Sequence, residues 1–233
     1  MRIKGFQGTS LLDFPGRLAA LVFTGGCNLT CPFCHNPGLV LNPGQYPDYP
    51  IDELLVDLRQ RSGFIDGVVV SGGEPTLEPG LEGFLSEVKQ MGLQVKLDSN
   101  GLLPDVLQRL LGRDLIDYLA IDLKTSPNRY SELHNHAIES GPLLKTISLA
   151  KSAGCEYEFR TTCVPGLVDA DDIKAIGKAI KGARLWVLQQ FAPHHSLDET
   201  LRDVEPHSSQ TLRSLSTLAA DYAAEIKVRG DTH

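Results

Sequence analysis

The stretch LAALVFTGGCNLTCPFCH, residues 18–35, contains the two features from which the fold and the chemistry of this protein follow. Its first six residues, 18–23, form a continuous apolar run of the kind found in buried β-strands. The loop after this run carries three of the five cysteines of the chain, Cys27, Cys31 and Cys34. The stretch therefore predicts a buried strand that ends in a cluster of thiols.

Short runs of the same kind recur along the chain and alternate with segments of helical periodicity. Ile51, Leu54, Leu55 and Leu58 lie at positions i, i+3, i+4 and i+7, the apolar stripe of an amphipathic helix. Further strands are predicted at 67–70, 93–98, 118–122, 157–160, 185–188 and 226–228, and further helices at 81–88, 104–111, 143–153, 171–180 and 209–224. Strands that alternate with helices indicate a parallel sheet with right-handed crossovers.

Six strand–helix units fit two architectures, a doubly wound open sheet and an incomplete barrel, and their spacing does not distinguish them. A complete eight-unit barrel has about 250 residues, more than the 233 of this chain. No strong linker divides the sequence, so we expect one domain over residues 1–233 with its core between about residues 16 and 230.

The composition is that of a compact globular protein, with 42% hydrophobic residues and a formal net charge of −7. This negative charge argues against binding to nucleic acids or anionic membranes. Residues 1–6 do not resemble a signal peptide, and the uncharged segment 18–47 is too rich in Gly, Asn, Pro and Cys for a membrane span. An odd number of cysteines, tightly clustered, favours a reducing cytoplasm and metal binding over disulfides.

The spacing Cys-x3-Cys-x2-Cys lets three thiolates hold three irons of a four-iron cluster. Because the segment has no fourth cysteine, the fourth iron would be open to a ligand from outside the protein. A zinc ion with His35 as fourth ligand and three unconnected thiols are the alternatives, and the spacing alone leaves them open.

Polar residues also follow the other predicted strands. After the second strand, Gly72 and Gly73 would let the backbone approach a ligand closely, and Glu74 adds a carboxylate. The later strands end in or near four further polar groups and one histidine: 98–101, 122–124, 160–161, 189–190 and His194. Each group alone has an ordinary explanation, such as a helix cap or a surface ion pair. Together they predict a site at the carboxyl ends of the strands, where parallel α/β folds place their sites.

The combination of motifs resembles the radical S-adenosylmethionine superfamily. The resemblance rests on the three cysteines with Phe33 before the last one, and on the sequence Gly-Gly-Glu-Pro at 72–75. The segments 5–7, 13–16, 23–27 and 34–37 are, more closely, similar to the activating proteins of glycyl radical enzymes. The nearest group is the one named for anaerobic ribonucleoside-triphosphate reductase, and pyruvate formate-lyase activase is a close relative.

The resemblance implies a partial (β/α)6 barrel, similar to an incomplete TIM barrel and open along its side, in which Cys27, Cys31 and Cys34 hold a 4Fe-4S cluster. It also implies an oxidoreductase that cleaves S-adenosylmethionine reductively and abstracts hydrogen from a glycine of a partner glycyl radical enzyme, for which anaerobic ribonucleoside-triphosphate reductase is the candidate.

The remaining implied site residues contact S-adenosylmethionine or lie beside it. The amino group would meet Gly72, Gly73 and Glu74, and the adenine would lie near Phe33. A monovalent cation beside the substrate carboxylate is a further candidate, at Asp98, Ser99 and Asp122. Lys124 and Arg160 would contact S-adenosylmethionine itself, and His194 would lie near the active site.

This chain departs from the activases that carry two additional cysteine-rich clusters. Apart from the motif it has Cys155 and Cys163, which cannot build those clusters and are expected to be small buried hydrophobic residues. Electrons would therefore come directly from an external donor such as flavodoxin or ferredoxin.

Two other functions stay open at this point. One is a radical S-adenosylmethionine enzyme that acts on a small molecule, such as a precursor of modified nucleosides, which would need extra polar residues to close the barrel. The other is a zinc-stabilised binding module without catalysis.

Overall fold

The structure, a computed structural model, describes residues 1–134 and 136–230. In that part of the chain eight strands form a single sheet in sequence order: β1 Ile3–Ser10, β2 Ala19–Thr24, β3 Gly67–Gly72, β4 Gln94–Ser99, β5 Tyr118–Asp122, β6 Glu156–Cys163, β7 Ala183–Gln190 and β8 Ala223–Arg229. Seven α-helices accompany them there: α1 Pro37–Leu41, α2 Ile51–Arg61, α3 Leu81–Gln90, α4 Pro104–Gly112, α5 Gly141–Ser152, α6 Ala170–Ile180 and α7 Ser209–Ala219. β1 is antiparallel to β2, and every later pair of neighbours is parallel.

The parallel part of the sheet consists of repeated strand–helix units. Each strand from β2 to β7 is followed by one of the helices α2 to α7 before the next strand begins, which makes six units in the described residues. The short helix α1 lies inside the loop that joins β2 to α2. The predicted α/β fold with six units is thus confirmed.

The sheet curls into a partial barrel, as two contacts between the segment that leads into β2 and the distant strands β5 and β6 show. Phe14, just before β2, packs edge-on against Tyr118 of β5, with ring centroids 5.8 Å apart. Arg17, also before β2, forms an ion pair of 3.0 Å with Glu156 at the start of β6. In a flat sheet β2 and β5 would lie about 14 Å apart, three strand spacings of about 4.8 Å. The structure therefore resolves the choice between open sheet and barrel.

The helices pack on the outer face of the barrel through apolar stripes. In α3 the residues Leu81, Phe84, Leu85 and Val88 are fully buried, at the spacing of one helical face. Burial of each such side chain contributes about 1.5–3 kcal/mol relative to exposure. Within residues 1–134 and 136–230, no helix combines the length and the apolar character needed to cross a membrane.

Two elements at the ends of the chain differ from the expectations. β1 was not predicted, because its sequence contains two glycines and no apolar run; it forms by pairing with β2, for example Phe6 opposite Val22. The last helix ends at Ala219 rather than at residue 224, because residues 223–229 pair with β7 as strand β8. In both places the pairing of distant segments outweighs local propensity.

Candidate active site

A cavity of about 270 Å³ lies at the carboxyl ends of β2 to β7. It collects almost all of the residues that the sequence predicts for the site: Cys27, Cys31, Phe33, Cys34, Gly72, Gly73, Glu74, Asp98, Ser99, Asp122, Lys124 and Arg160. The parallel strands bring these side chains together because each strand ends at the same rim of the barrel.

His194 is the exception among the predicted site residues. It lies on the short 3₁₀-helix Pro193–His195 beyond β7 and faces a second groove, of about 630 Å³, rather than the cavity. His35 and Asn36 line both spaces, so the groove continues from the cavity. His194 therefore lies beside the cavity, in the groove that continues from it, and its role near the active site stays a prediction.

The cysteine loop is held in place by backbone hydrogen bonds. The Gly26 N–H donates to the Leu39 carbonyl oxygen over 2.8 Å, and the Cys34 N–H donates to that of Cys31 over 2.9 Å. The Leu29 N–H points at the sulfur of Cys27 over 3.4 Å. N–H groups aimed at sulfur stabilise a thiolate once a metal has replaced its proton.

The thiols of Cys27 and Cys31 are protonated until a metal binds. Burial raises the pKa of Cys27 to about 11 and that of Cys31 to about 12. A metal must therefore displace their protons, so metal binding at this site depends on pH.

The three cysteines of the loop are compatible with a four-iron cluster. In the described residues, no three Cys, His, Asp or Glu side chains converge on a point where they could hold one ion. The cysteines of a four-iron cluster each bind a different iron, so they do not have to converge in this way.

Gly72 and Gly73 allow the loop after β3 to cross the cysteine loop at van der Waals distance. A Cβ atom on Gly73 would lie 1.9 Å from the Gly26 carbonyl oxygen, and one on Gly72 would lie 2.4 Å from the Thr24 nitrogen. The crossing is sealed by the Glu74 N–H, which donates to the same Gly26 oxygen over 2.8 Å. Both glycines also line the cavity, so the predicted close approach of a ligand to their backbone stays a prediction.

The Glu74 carboxylate ties this loop to the end of β4. It accepts hydrogen bonds from the N–H and hydroxyl of Thr76, from the Ser99 hydroxyl over 2.8 Å and from the Asn100 N–H over 2.7 Å. Burial raises the pKa of Glu74, and these hydrogen bonds oppose the rise. Ser99 therefore acts on Glu74 through its hydroxyl group and lies at the cavity as predicted.

Asn100 lines the cavity, although the sequence prediction includes it only within the polar group 98–101 and assigns it no role. Its side-chain amide donates to Asn28 Oδ1 over 2.7 Å and points at the sulfur of Cys27 over 3.8 Å. Through its backbone N–H it also holds Glu74. Asn100 thus joins the cysteine loop to the Glu74 carboxylate.

The far wall of the cavity is a network of ion pairs. Arg160 bridges two carboxylates, with Nε 2.7 Å from Asp122 Oδ1 and Nη1 3.1 Å from Asp98 Oδ2. Lys124 Nζ lies 3.0 Å from Asp122 Oδ2, and the ammonium of Lys96 pairs with Asp98 Oδ1. Asp122 and Lys124 are thus part of a larger network and do not form an isolated ion pair on the surface.

Counter-charges dominate the titration of this wall. Burial alone would raise the pKa of Asp98 and Asp122, but Arg160 together with Lys96 or Lys124 holds both pKa values below their ordinary range. Burial alone would lower the pKa of Lys124, but the Asp122 carboxylate raises it above its ordinary range.

Lys96 was missed by the sequence argument although a signal was present. It lies two residues before Asp98 in the same strand, so both side chains point to one face of the sheet. A lysine in the middle of a buried parallel strand is unusual, because such strands are apolar on both faces.

The two remaining cysteines lie outside the cavity. Cys163 is fully buried in the main core, where burial raises the pKa of its thiol to about 12. Cys155 is partly buried and packs against the same core.

This chain is similar to a family of enzymes in sequence. The model of the Radical SAM superfamily matches residues 21–179. "Putative glycyl-radical enzyme activating enzyme MJ1227" of Methanocaldococcus jannaschii is 34% identical, over 97% of this chain and 95% of the relative. A pyruvate formate-lyase-activating enzyme of Staphylococcus aureus is 36% identical, over 84% of this chain and 81% of the relative.

Solved structures of low identity show the same fold. SuiB of Streptococcus suis superposes with a TM-score of 0.68 at 15% identity over 90% of this chain, which spans 48% of the SuiB chain. Methylornithine synthase (PylB) superposes with a TM-score of 0.60 at 14% identity, over 92% of this chain and 73% of that chain. The match to the family model and the identity to the full-length relatives establish that this chain belongs to the radical S-adenosylmethionine superfamily and, within it, to the glycyl-radical enzyme activating enzymes, which are oxidoreductase-type enzymes.

Proposed function

We propose that this enzyme binds S-adenosylmethionine beside a 4Fe-4S cluster, cleaves it reductively and abstracts hydrogen from a glycine of a partner glycyl radical enzyme. Anaerobic ribonucleoside-triphosphate reductase is the candidate partner. The observation that carries the proposal is the pairing, in one cavity, of three cysteines without a fourth cysteine and a wall of buried charges.

Cys27, Cys31 and Cys34 would hold the cluster, with Leu29 and Phe33 shielding it from water. When bound, the cluster supplies the electron that breaks a carbon–sulfur bond of the sulfonium, and S-adenosylmethionine supplies the carbon radical that takes the hydrogen. The chain itself contributes positioning and exclusion of water.

The two charged ends of an amino acid would find complementary partners on opposite sides of the cavity. The backbone rim at Gly72 and Gly73, with Glu74 behind it, offers acceptors for an ammonium group. Lys124 and Arg160 offer donors for a carboxylate. Phe33 is the candidate neighbour of the adenine.

The second groove supports a protein substrate. It continues outward from the cavity and is lined by polar, aromatic and charged side chains, among them Phe23, Tyr46, His194 and Arg202. A loop of another protein could reach the cavity along such a groove, where a glycine Cα–H is a suitable target because both flanking peptide groups delocalise the resulting radical. We also propose an external donor such as flavodoxin or ferredoxin and a reducing cytoplasmic location, which suits unpaired thiols.

The test is formation of 5′-deoxyadenosine by anaerobically reconstituted protein with dithionite and S-adenosylmethionine. We expect cluster-dependent product, and a glycyl radical signal in the electron paramagnetic resonance spectrum of anaerobic ribonucleoside-triphosphate reductase incubated with it. Absence of 5′-deoxyadenosine from protein that holds a full complement of iron and sulfide, with the partner present, would contradict the proposal. Formation of 5′-deoxyadenosine without a radical on the partner would support cleavage of S-adenosylmethionine but refute this choice of partner.

A further inference from the structure

Lys96 is a charged side chain inside the barrel, where charges are costly. Its side chain is 1% exposed, and its ammonium pairs with Asp98 Oδ1 and lies 5.8 Å from the centre of the Tyr118 ring. Apolar residues such as Phe14, Leu21 and Val69 pack around Tyr118, whose hydroxyl donates to the buried Glu158 carboxylate over 2.9 Å. Transfer of an ammonium to such a place costs several kcal/mol unless it is paired, so its position calls for a role.

The carboxylates of Asp98 and Asp122 have a counter-charge on every oxygen. The two oxygens of Asp98 face Lys96 and Arg160, and the two oxygens of Asp122 face Arg160 and Lys124. Three cations thus surround two anions, which leaves a formal charge of +1 on the group. Glu158 lies two residues before Arg160 in β6. It does not alter this sum of charges, because Arg229 pairs with it over 2.8 Å.

Without Lys96 the same group would be formally neutral, and Asp98 Oδ1 would be a buried anionic oxygen without a cation. Two neighbouring carboxylates in such a place attract a cation from solution, because an unpaired buried charge is strongly destabilising. The lysine ammonium supplies that charge from within the chain. The monovalent cation expected at Asp98, Ser99 and Asp122 would therefore find both carboxylates already paired, and the Ser99 hydroxyl engaged with Glu74.

We propose that the Lys96 ammonium is a built-in cation which replaces a dissolved monovalent cation at the Asp98–Asp122 pair. The surplus positive charge then attracts the carboxylate of S-adenosylmethionine without help from an alkali-metal ion. The first part concerns the chain alone, and the second part rests on the proposed function.

The test compares K⁺ or Na⁺ with choline, a cation too large for the site, at constant ionic strength. We expect the melting temperature of the wild-type apoprotein to be the same in all three salts. In Lys96→Met we expect a lower melting temperature in choline and a specific recovery in K⁺ or Na⁺. The matched control is Lys89→Met, which also removes a lysine from an aspartate, Asp117 at 2.6 Å, but on the outer surface. It should show no difference between the salts.

A second measurement uses reconstituted protein and S-adenosylmethionine binding. The wild-type dissociation constant should change less than about twofold between choline and K⁺, whereas that of Lys96→Met should improve at least about tenfold in K⁺. Dependence of the wild type on K⁺ or Na⁺, or a variant that does not respond to them, would overturn the proposal.

If Lys96→Met does not fold, the variant Lys96→Met/Asp98→Asn removes both partners and avoids the unpaired charge. We expect this double variant to fold and to be insensitive to the choice of salt; an ion-specific response in it would place the cation elsewhere and refute the proposal. Failure of the wild type to bind S-adenosylmethionine at all would count against the proposed function, while the apoprotein melting data would still decide the role of Lys96.

Discussion

The two sides of the cavity handle buried ionisable groups in opposite ways. On the side of the cysteine loop, burial is the larger influence: it raises the pKa of Cys27, Cys31 and Glu74. On the side of β4 to β6, counter-charges are the larger influence: they lower the pKa of Asp98 and Asp122. The thiols of the first side lose their protons only when a metal binds. The carboxylates of the second side are already neutralised by cationic side chains of the protein.

This difference indicates a division of labour. The cysteine side is shaped by close backbone contacts and by N–H groups directed at sulfur, and the latter act on a thiolate only when a metal group is bound. The charged side is organised before any ligand arrives, because Arg160 bridges both carboxylates. A preorganised wall of this kind binds a charged ligand without first rearranging.

The largest effect is expected from breaking the cysteine side. Replacement of any one of Cys27, Cys31 or Cys34 by Ala should abolish 5′-deoxyadenosine formation, because the cluster would lose one of its three protein ligands. Cys155→Ala is the matched control, since this cysteine lies outside the cavity, and it should keep its activity. Turnover in all three cavity variants would contradict the cluster assignment.

The next effect comes from breaking the charged side. Asp122→Asn should lower the free energy of unfolding by about 3 kcal/mol, because Arg160 and Lys124 lose the carboxylate between them. It should also weaken S-adenosylmethionine binding while iron content stays the same, as measured by calorimetry and iron analysis. Asp105→Asn, at the exposed pair with Lys145, should change neither property. Loss of iron from Asp122→Asn would show that the two sides are not separate.

A smaller effect is expected where the two loops cross. Gly73→Ala should destabilise the protein by about 2 kcal/mol and reduce cluster incorporation, because its Cβ would overlap the Gly26 carbonyl oxygen. Urea denaturation and iron analysis measure both. Gly83→Ala, in α3 with no neighbour within 4 Å of the added carbon, should instead be neutral or stabilising. Equal stability and iron content of the two variants would contradict the conclusion that Gly73 is required for the close contact between the loops.

The smallest effect is the pH dependence of stability, because the two sides oppose each other. Asp98 and Asp122 have folded-state pKa values below those of the unfolded chain, so their contribution is present above about pH 4 and is lost as the pH falls. Glu74 has a raised pKa, so its contribution is present below about pH 4 and is lost as the pH rises. Chemical denaturation across pH 3–7 should show that the free energy of unfolding falls more steeply with decreasing pH in Glu74→Gln than in the wild type. Parallel curves would contradict the idea that Glu74 opposes the two aspartates.

Much of the fold and of the site was accessible from the sequence because the signals are local. Apolar periodicity placed the six strand–helix units, and the strand β5 begins and ends at the predicted residues. The cysteine spacing and the polar residues at the strand ends identified the cavity, since the ends of parallel strands share one rim.

What only the tertiary structure decided depends on contacts between distant segments. Pairing with β2 created β1, and curvature of the sheet made the partial barrel. The turn after β7 moved His194 into the groove, and the crossing of two loops explained Gly73. The charge sum at Lys96 became visible only when β4, β5 and β6 lay side by side. Local pattern determines which elements form, whereas register, curvature and burial determine which side chains meet, because these are properties of the whole sheet rather than of any one strand.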